Sequence, residues 1–264
     1  MENICKNCNQ LITANFCANC GQKKFKRIDK KYIWEELQYT VFHTNKGLLY
    51  SLKNILKNPG KTAKEFIEGN RVNHYKPILL VFVLSGIATF ISFKVLNLKE
   101  IMNAYFSQQH INSNFMGDIM SFMSSYSSIL MLLYVPLFAI TTKIAFRKWG
   151  HNYYEHIVMN AYILSFYTLI SILFVYPIMF FFRNSPSAFY SLTQFSILLV
   201  PLILVWFFKE FYKEKPLKNI ILKVLAALGL TILGYLIFII LAGVVGFGIA
   251  MIKGPEALEY LKQK

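Results

Sequence analysis

The chain has 264 residues, of which 55% are hydrophobic and only 16% charged, and its mean hydropathy is +0.43. Soluble domains carry about 25% charged residues, so the composition argues against an ordinary water-soluble fold and for a membrane protein. A formal net charge of +15 fits either nucleic acid or anionic lipid as a partner, and the placement of the charges decides between them.

The segment from Met1 to Gln22 has cysteines and amides where a signal peptide needs an apolar core, so the first apolar span is expected to serve as its own insertion signal. Cys5, Cys8, Cys17 and Cys20 are the only cysteines and follow the pattern C-x2-C-x8-C-x2-C. Two intervening residues let both sulfurs of a pair face one ion, and four thiolates close a tetrahedral structural Zn2+ site with no position left for water. Gly21, and Asn9 at the matching place, suit the left-handed turn that follows each pair. A small zinc ribbon is therefore expected over residues 1–24, with a folding and docking role and no catalytic one.

Residues 25–76 read as a basic linker followed by amphipathic helices. The run Lys23, Lys24, Lys26, Arg27, Lys30 and Lys31 could meet nucleic acid, but with membrane spans following, anionic headgroups are the simpler partner. Helices are expected over Lys31–Phe42, Lys46–Lys57 and Thr62–Glu68, each with an apolar face, with Asn58-Pro59-Gly60 ending the second.

Residues 77–252 read as a transmembrane bundle, with residues 253–264 as a C-terminal tail. The first span starts at Pro77, and 22 residues to Leu98 hold one charge, Lys94. An extended loop is expected over Lys99–Ser124. Further spans are Tyr126–Phe146 with Pro136, Ile157–Phe182 with Pro177, Phe189–Phe208 with Pro201, and Val224–Ile252. The last stretch is 29 residues without a charge, leaving open one tilted crossing or a break with a re-entrant end. Within it Ala242, Gly246 and Ala250 form a small-residue stripe of the kind that allows close helix approach, so a homo-oligomer stays open. Residues 1–78 hold 14 of the 28 Lys and Arg, and most of the others fall in the second-to-third and fourth-to-fifth connections. That bias predicts a cytoplasmic (inner) membrane location with the N-terminus in the cytoplasm, where thiols stay reduced.

Reactive groups are sparse. None of the five expected spans contains Asp or Glu, which weakens an ion-coupled carrier. Asn160, Ser165, Thr168, Ser171, Thr193 and Gln194 could line a polar groove, but hydrogen bonds between helices are the simpler use for them. His151-Asn-Tyr-Tyr-Glu155-His156 is the best cluster outside the cysteines. Its histidines are five apart and do not share a helical face, and Glu155 suits a helix start.

Several segments resemble a bacterial family known as domain of unknown function 3667. They are Phe16-Cys17 through Gln22, Lys46-Gly47-Leu48-Leu49-Tyr50-Ser51-Leu52, Asn58-Pro59-Gly60, Glu65 through Arg71 with Tyr75 and Pro77, and Tyr154-Glu155-His156-Ile157-Val158. The likeness spans residues 1 to 170. It implies a polytopic inner-membrane protein with a cytoplasmic ribbon and no established activity, and it draws attention to Arg71, Glu155 and His156 as an inner-face cluster. The expected protein is an all-α integral membrane protein of about five spans, preceded by a zinc ribbon and interfacial helices. As to function, a scaffold or regulator docking a cytoplasmic protein leads over a transporter or lipid-handling protein. A membrane enzyme using the Glu/His cluster comes third.

Overall fold

The computed structural model describes residues 4–24, 27–32, 47–110 and 114–253. Most of the helix expected over Lys31–Phe42, and the tail after Lys253, lie outside them.

Helix α1 (Leu48–Lys57) and α2 (Pro59–Ile67) form a short pair under the bundle. Asn58-Pro59-Gly60 begins α2 and does not simply end α1. The Asn58 side chain accepts a hydrogen bond from the Lys61 amide, and Pro59 fills the first helical position, where its missing N–H costs nothing. Gly60 lies against the backbone of Phe207, where a Cβ would run into the carbonyl. Gly47 has φ 99°, and a Cβ there would meet the Asn73 carbonyl. The pair is closed from the other side by Ser51, whose Oγ accepts from the Tyr75 amide at 2.7 Å.

Among the described residues five helical segments are long and apolar enough to cross a membrane: Pro77–Val95, Gly117–Ala145, Tyr153–Phe181, Pro186–Phe211 and Leu217–Gly248. The first is α3 (Pro77–Phe90) prolonged by a π-turn, Ile91–Val95. Then α4 (Leu98–Gln108) and the start of α5 (Asn114–Ala145) occupy the stretch expected to be a loop. Packing decides this: Ile101 joins Leu96, Met179 and Phe189 in a local core, and the Tyr105 and Tyr190 rings stack 4.1 Å apart. The central helix, α6 (Tyr153–Ile170), starts four residues before the expected span and continues through a π-turn, Ser171–Val175, into α7 (Tyr176–Phe181). The extra residue in that turn accommodates Pro177, which has no N–H to offer the preceding carbonyls.

The fourth span is broken at Leu198 into α8 (Pro186–Ile197) and α9 (Leu199–Phe211). Pro201 is the cause: four residues before it stands Ile197, the last residue of α8, whose carbonyl Pro201 cannot engage. Val224–Ile252 lies within one unbroken helix, α10 (Leu217–Lys253), so the alternative of a re-entrant end falls. At 1.5 Å per residue, its 37 residues run for roughly 55 Å. Ile220, Val224 and Ala227 of α10 are buried against the bundle, whereas its far half, including Ala242 and Gly246, is exposed along its length.

Helix α6 is the hub. It packs on α2, α3, α5 and α9, and 13 of its 18 residues are buried, leaving it no lipid-facing stripe. Tyr162, Phe66, Phe146, Phe207, Phe208 and Phe211 are fully buried and supply the bulk of the core around its first half. Gly60→Ala is expected to force α2 and α9 apart and to cost about 1–3 kcal/mol, read as a lowered Tm of the detergent-solubilised protein. An unchanged Tm would contradict the close contact.

Candidate metal centre and the clasp at the bundle end

The cysteine module is two copies of one turn. In the first, the Cys5 amide donates to the Gln10 carbonyl and the Asn9 amide to that of Cys5, at 2.8 and 2.9 Å. In the second, Cys17 donates to Gln22 and Gly21 to Cys17, at 2.7 and 2.9 Å. Asn9 and Gly21 take φ of 60° and 71°, the left-handed turn expected of them. Single β-bridges, Ile4 to Leu11 and Phe16 to Lys23, close each copy.

The two copies bring all four Sγ atoms within 4.8 Å of one another, with Cys5 to Cys20 at 3.6 Å and Cys8 to Cys17 at 3.5 Å. Sulfurs bound tetrahedrally to zinc at 2.3 Å stand about 3.8 Å apart, so this donor set fits such an ion. The surroundings fit as well. Hydrogen bonds from the Asn7 side chain and the Gln22 amide bring the Cys20 thiol down to about 6. The backbone amides of Cys20 and Asn19 lower Cys17. Cys8 has the Gln10 amide in its favour, yet burial and the crowding of Cys17 and Cys20 push it to about 11. Four thiolates this close need a cation between them. Cys5, Cys8, Cys17 and Cys20 would hold the metal, and its contribution would be to hold the two turns together. Among the described residues no comparable ligand group includes His151, Glu155 or His156.

The module is fastened to the bundle. Gln22, nearly inaccessible, donates to the Gly69 carbonyl and accepts from the Arg71 amide. Asn73 donates to the Asn7 side chain at 2.9 Å. The chain that follows then clasps the first turn of α6. Arg27 meets the Glu155 carboxylate with two nitrogens, at 3.1 and 3.2 Å, and the Gly150 carbonyl at 2.9 Å. Asn152 donates to the Ile28 carbonyl at 2.7 Å, and Ile28 itself is fully buried. Glu155 also completes a capping box. Its carboxylate accepts from the Asn152 amide while the Asn152 side chain accepts from the Glu155 amide. The pairing with Glu155 raises the Arg27 pKa above its ordinary value.

The three residues expected to form an inner-face cluster have separate partners. Arg71 donates to the carbonyls of Phe66 and Ile67 at the end of α2 and lies over the Tyr32 ring. Glu155 serves Arg27 and the cap. His156 turns into the bundle. There the Thr142 hydroxyl bonds the Phe138 carbonyl, accepts from Asn160 at 2.8 Å and lies 3.2 Å from His156 Nδ1. His156 Nε2 is buried without a hydrogen-bond partner among the described residues. His151 belongs to a fourth arrangement: Tyr212 lies 3.0 Å from its Nδ1, and burial lowers the histidine and raises the phenol. Of the polar residues weighed as a groove, Asn160 ties α6 to Thr142 of α5, while Ser171 donates to Tyr167 and Thr193 to Phe189 within their own helical segments; Ser165 is buried with no hydrogen-bond partner among the described residues.

Fold and site together give the architecture of a multi-pass helical membrane protein with a four-thiol module at one end. Residues 45–89 match a family described as a protein of unknown function (DUF3667), a stretch covering α1, α2 and most of the first span. No curated protein and no solved structure matches the chain. The matched stretch contains both glycine contacts and His74, which is buried between the rings of Tyr50 and Phe66.

Purified full-length protein is expected to carry about one zinc per chain by plasma mass spectrometry, and Cys20→Ser to lose it and destabilise the module. A folded chain free of metal would refute the closed site. Burial lowers the His74 pKa to about 4, although Glu65, 3.9 Å away, favours its charged form. The unfolded chain therefore takes up the proton first. Stability is complete above about pH 6.5 and falls as the pH drops towards 4, by ~2 kcal/mol at pH 5. His74→Gln is expected to flatten this part of the stability–pH curve, and a wild-type curve flat from pH 7 to 5 would count against it.

Proposed function

We propose that the chain is a non-enzymatic membrane scaffold or regulator of the cytoplasmic membrane. In this reading the N-terminus is cytoplasmic, Cys5, Cys8, Cys17 and Cys20 hold a structural Zn2+, and the module offers a docking surface to a cytoplasmic protein. The observation that carries this is a division of labour within the module. Gln22 and Asn7 bind it to the bundle, while Ile4, Leu11 and Phe16 turn outward with 46%, 67% and 57% of their surface exposed. Exposed apolar side chains on a small rigid element are suited to a partner with an apolar pocket. The sidedness rests on the charge bias. The module, Arg27, Arg147 and Lys148 gather at one end of the bundle, the basic end that the positive-inside rule assigns to the cytoplasm. The engagement of Glu155 by Arg27 and the cap speaks against its serving as a free acid or base.

The test is affinity isolation of the full-length protein beside Leu11→Ser/Phe16→Ser, at matched zinc content. A partner retained by the wild type and lost from the variant is expected. Identical co-purifying proteins from both would overturn the docking role.

A further inference from the structure

An open groove of about 510 Å³ lies between α5 and α10 near the end of the bundle that carries the cysteine module. Its floor includes Ile144, Gly229, Leu230 and Leu233, and its rim holds Arg147 and Lys223. A Cβ built on Gly229 meets nothing within 4 Å, so the floor is open at its middle. Deeper in the span the hydroxyls of Thr231 and Thr141, 3.2 Å apart, tie the two helices together. Arg147 stands two residues beyond the second span, and Lys223 lies six residues into the fifth, roughly 9 Å along the helix axis. Both positions let a cationic head reach headgroup level while the alkyl stem stays on apolar surface. Among the described residues neither cation takes part in an ion pair.

This combination selects its occupant. A neutral hydrocarbon would leave two cations unmatched, and a free inorganic anion would leave the apolar floor unfilled. We propose that the groove binds an anionic phospholipid. Its phosphate lies between Arg147 and Lys223, and one acyl chain runs over Gly229 towards Leu233. Basic pockets between membrane helices at the cytoplasmic side are suited to such headgroups. The site requires only the membrane-spanning architecture and is independent of any role for the cysteine module.

Native mass spectrometry of the full-length protein, titrated with phosphatidylglycerol or phosphatidylcholine, tests the site, with inorganic phosphate tried in parallel by thermal shift. The wild type is expected to retain one phosphatidylglycerol with about tenfold preference or more. Arg147→Gln/Lys223→Gln should bring the two lipids level. Gly229→Leu keeps both charges and fills the floor, so it should weaken phosphatidylglycerol several-fold, and it carries the test if the double variant fails to fold. Equal retention of both lipids by the wild type would overturn the proposal. So would unchanged retention in Gly229→Leu, or stabilisation by phosphate alone equal to that by phosphatidylglycerol.

Discussion

A helix surrounded by other helices cannot turn its charged end to water, and α6 is in that position. Its first turn holds Glu155, 5% exposed, and a carboxylate so enclosed needs a cation and hydrogen bonds from the protein. The cation comes from a distance and the hydrogen bond from close by. Arg27 provides the cation, and the Asn152 amide provides a hydrogen bond within the same turn. This one requirement draws the segment after the cysteine module onto the bundle, buries Ile28 in the main core, and fixes where the module must sit. Were Glu155 apolar, nothing in the first turn of α6 would call for a cation, and the clasp would be reduced to the Gly150 carbonyl, the Asn152 bond to Ile28 and the burial of Ile28.

The same logic orders the rest of α6. His156 and Asn160 converge on Thr142 of α5, while Ser171 returns its proton to the helix's own backbone. Low dielectric makes an unmatched polar group costly, so these residues read as ties between spans. Among the described residues the buried Nε2 of His156 and Oγ of Ser165 stand outside this accounting, each without a hydrogen-bond partner.

What could be read from the sequence follows from how local each signal is. Apolar length alone marks the five spans, and cysteine spacing alone marks the module, down to the positive φ of Asn9 and Gly21. Asn152-x-x-Glu155 has the spacing of a capping box, and the electrostatic part of it was legible. Arg27 was not: within a run of six basic residues nothing distinguishes it, and its partner lies 128 residues further on. Asn58-Pro59-Gly60 reads as a stop because proline and glycine usually interrupt helices. The Asn58 cap shows that it is a start, and the α9 backbone beside Gly60 shows that it is a contact. The stretch from Lys99 to Ser124 lacks a clean helical period, and its helices are held by neighbours, such as Phe189 and Tyr190, that no local pattern announces. Glu155 and Glu210 fall inside the candidate spans for a related reason, since the helices run past the purely apolar stretches by a turn.

The separation between Arg27 and Glu155 also sets an order of events during synthesis. Ribosomes add roughly 5–20 residues each second, so Arg27 waits on the order of ten seconds before its carboxylate exists. The cysteine turns can close on their own in that interval, being local, but they cannot be anchored through the clasp until the third hydrophobic segment has been made. Arrival of α6 thus adds a second anchor to the earlier one at Gly69, Arg71 and Asn73, and the clasp records that the first half of the bundle has come together.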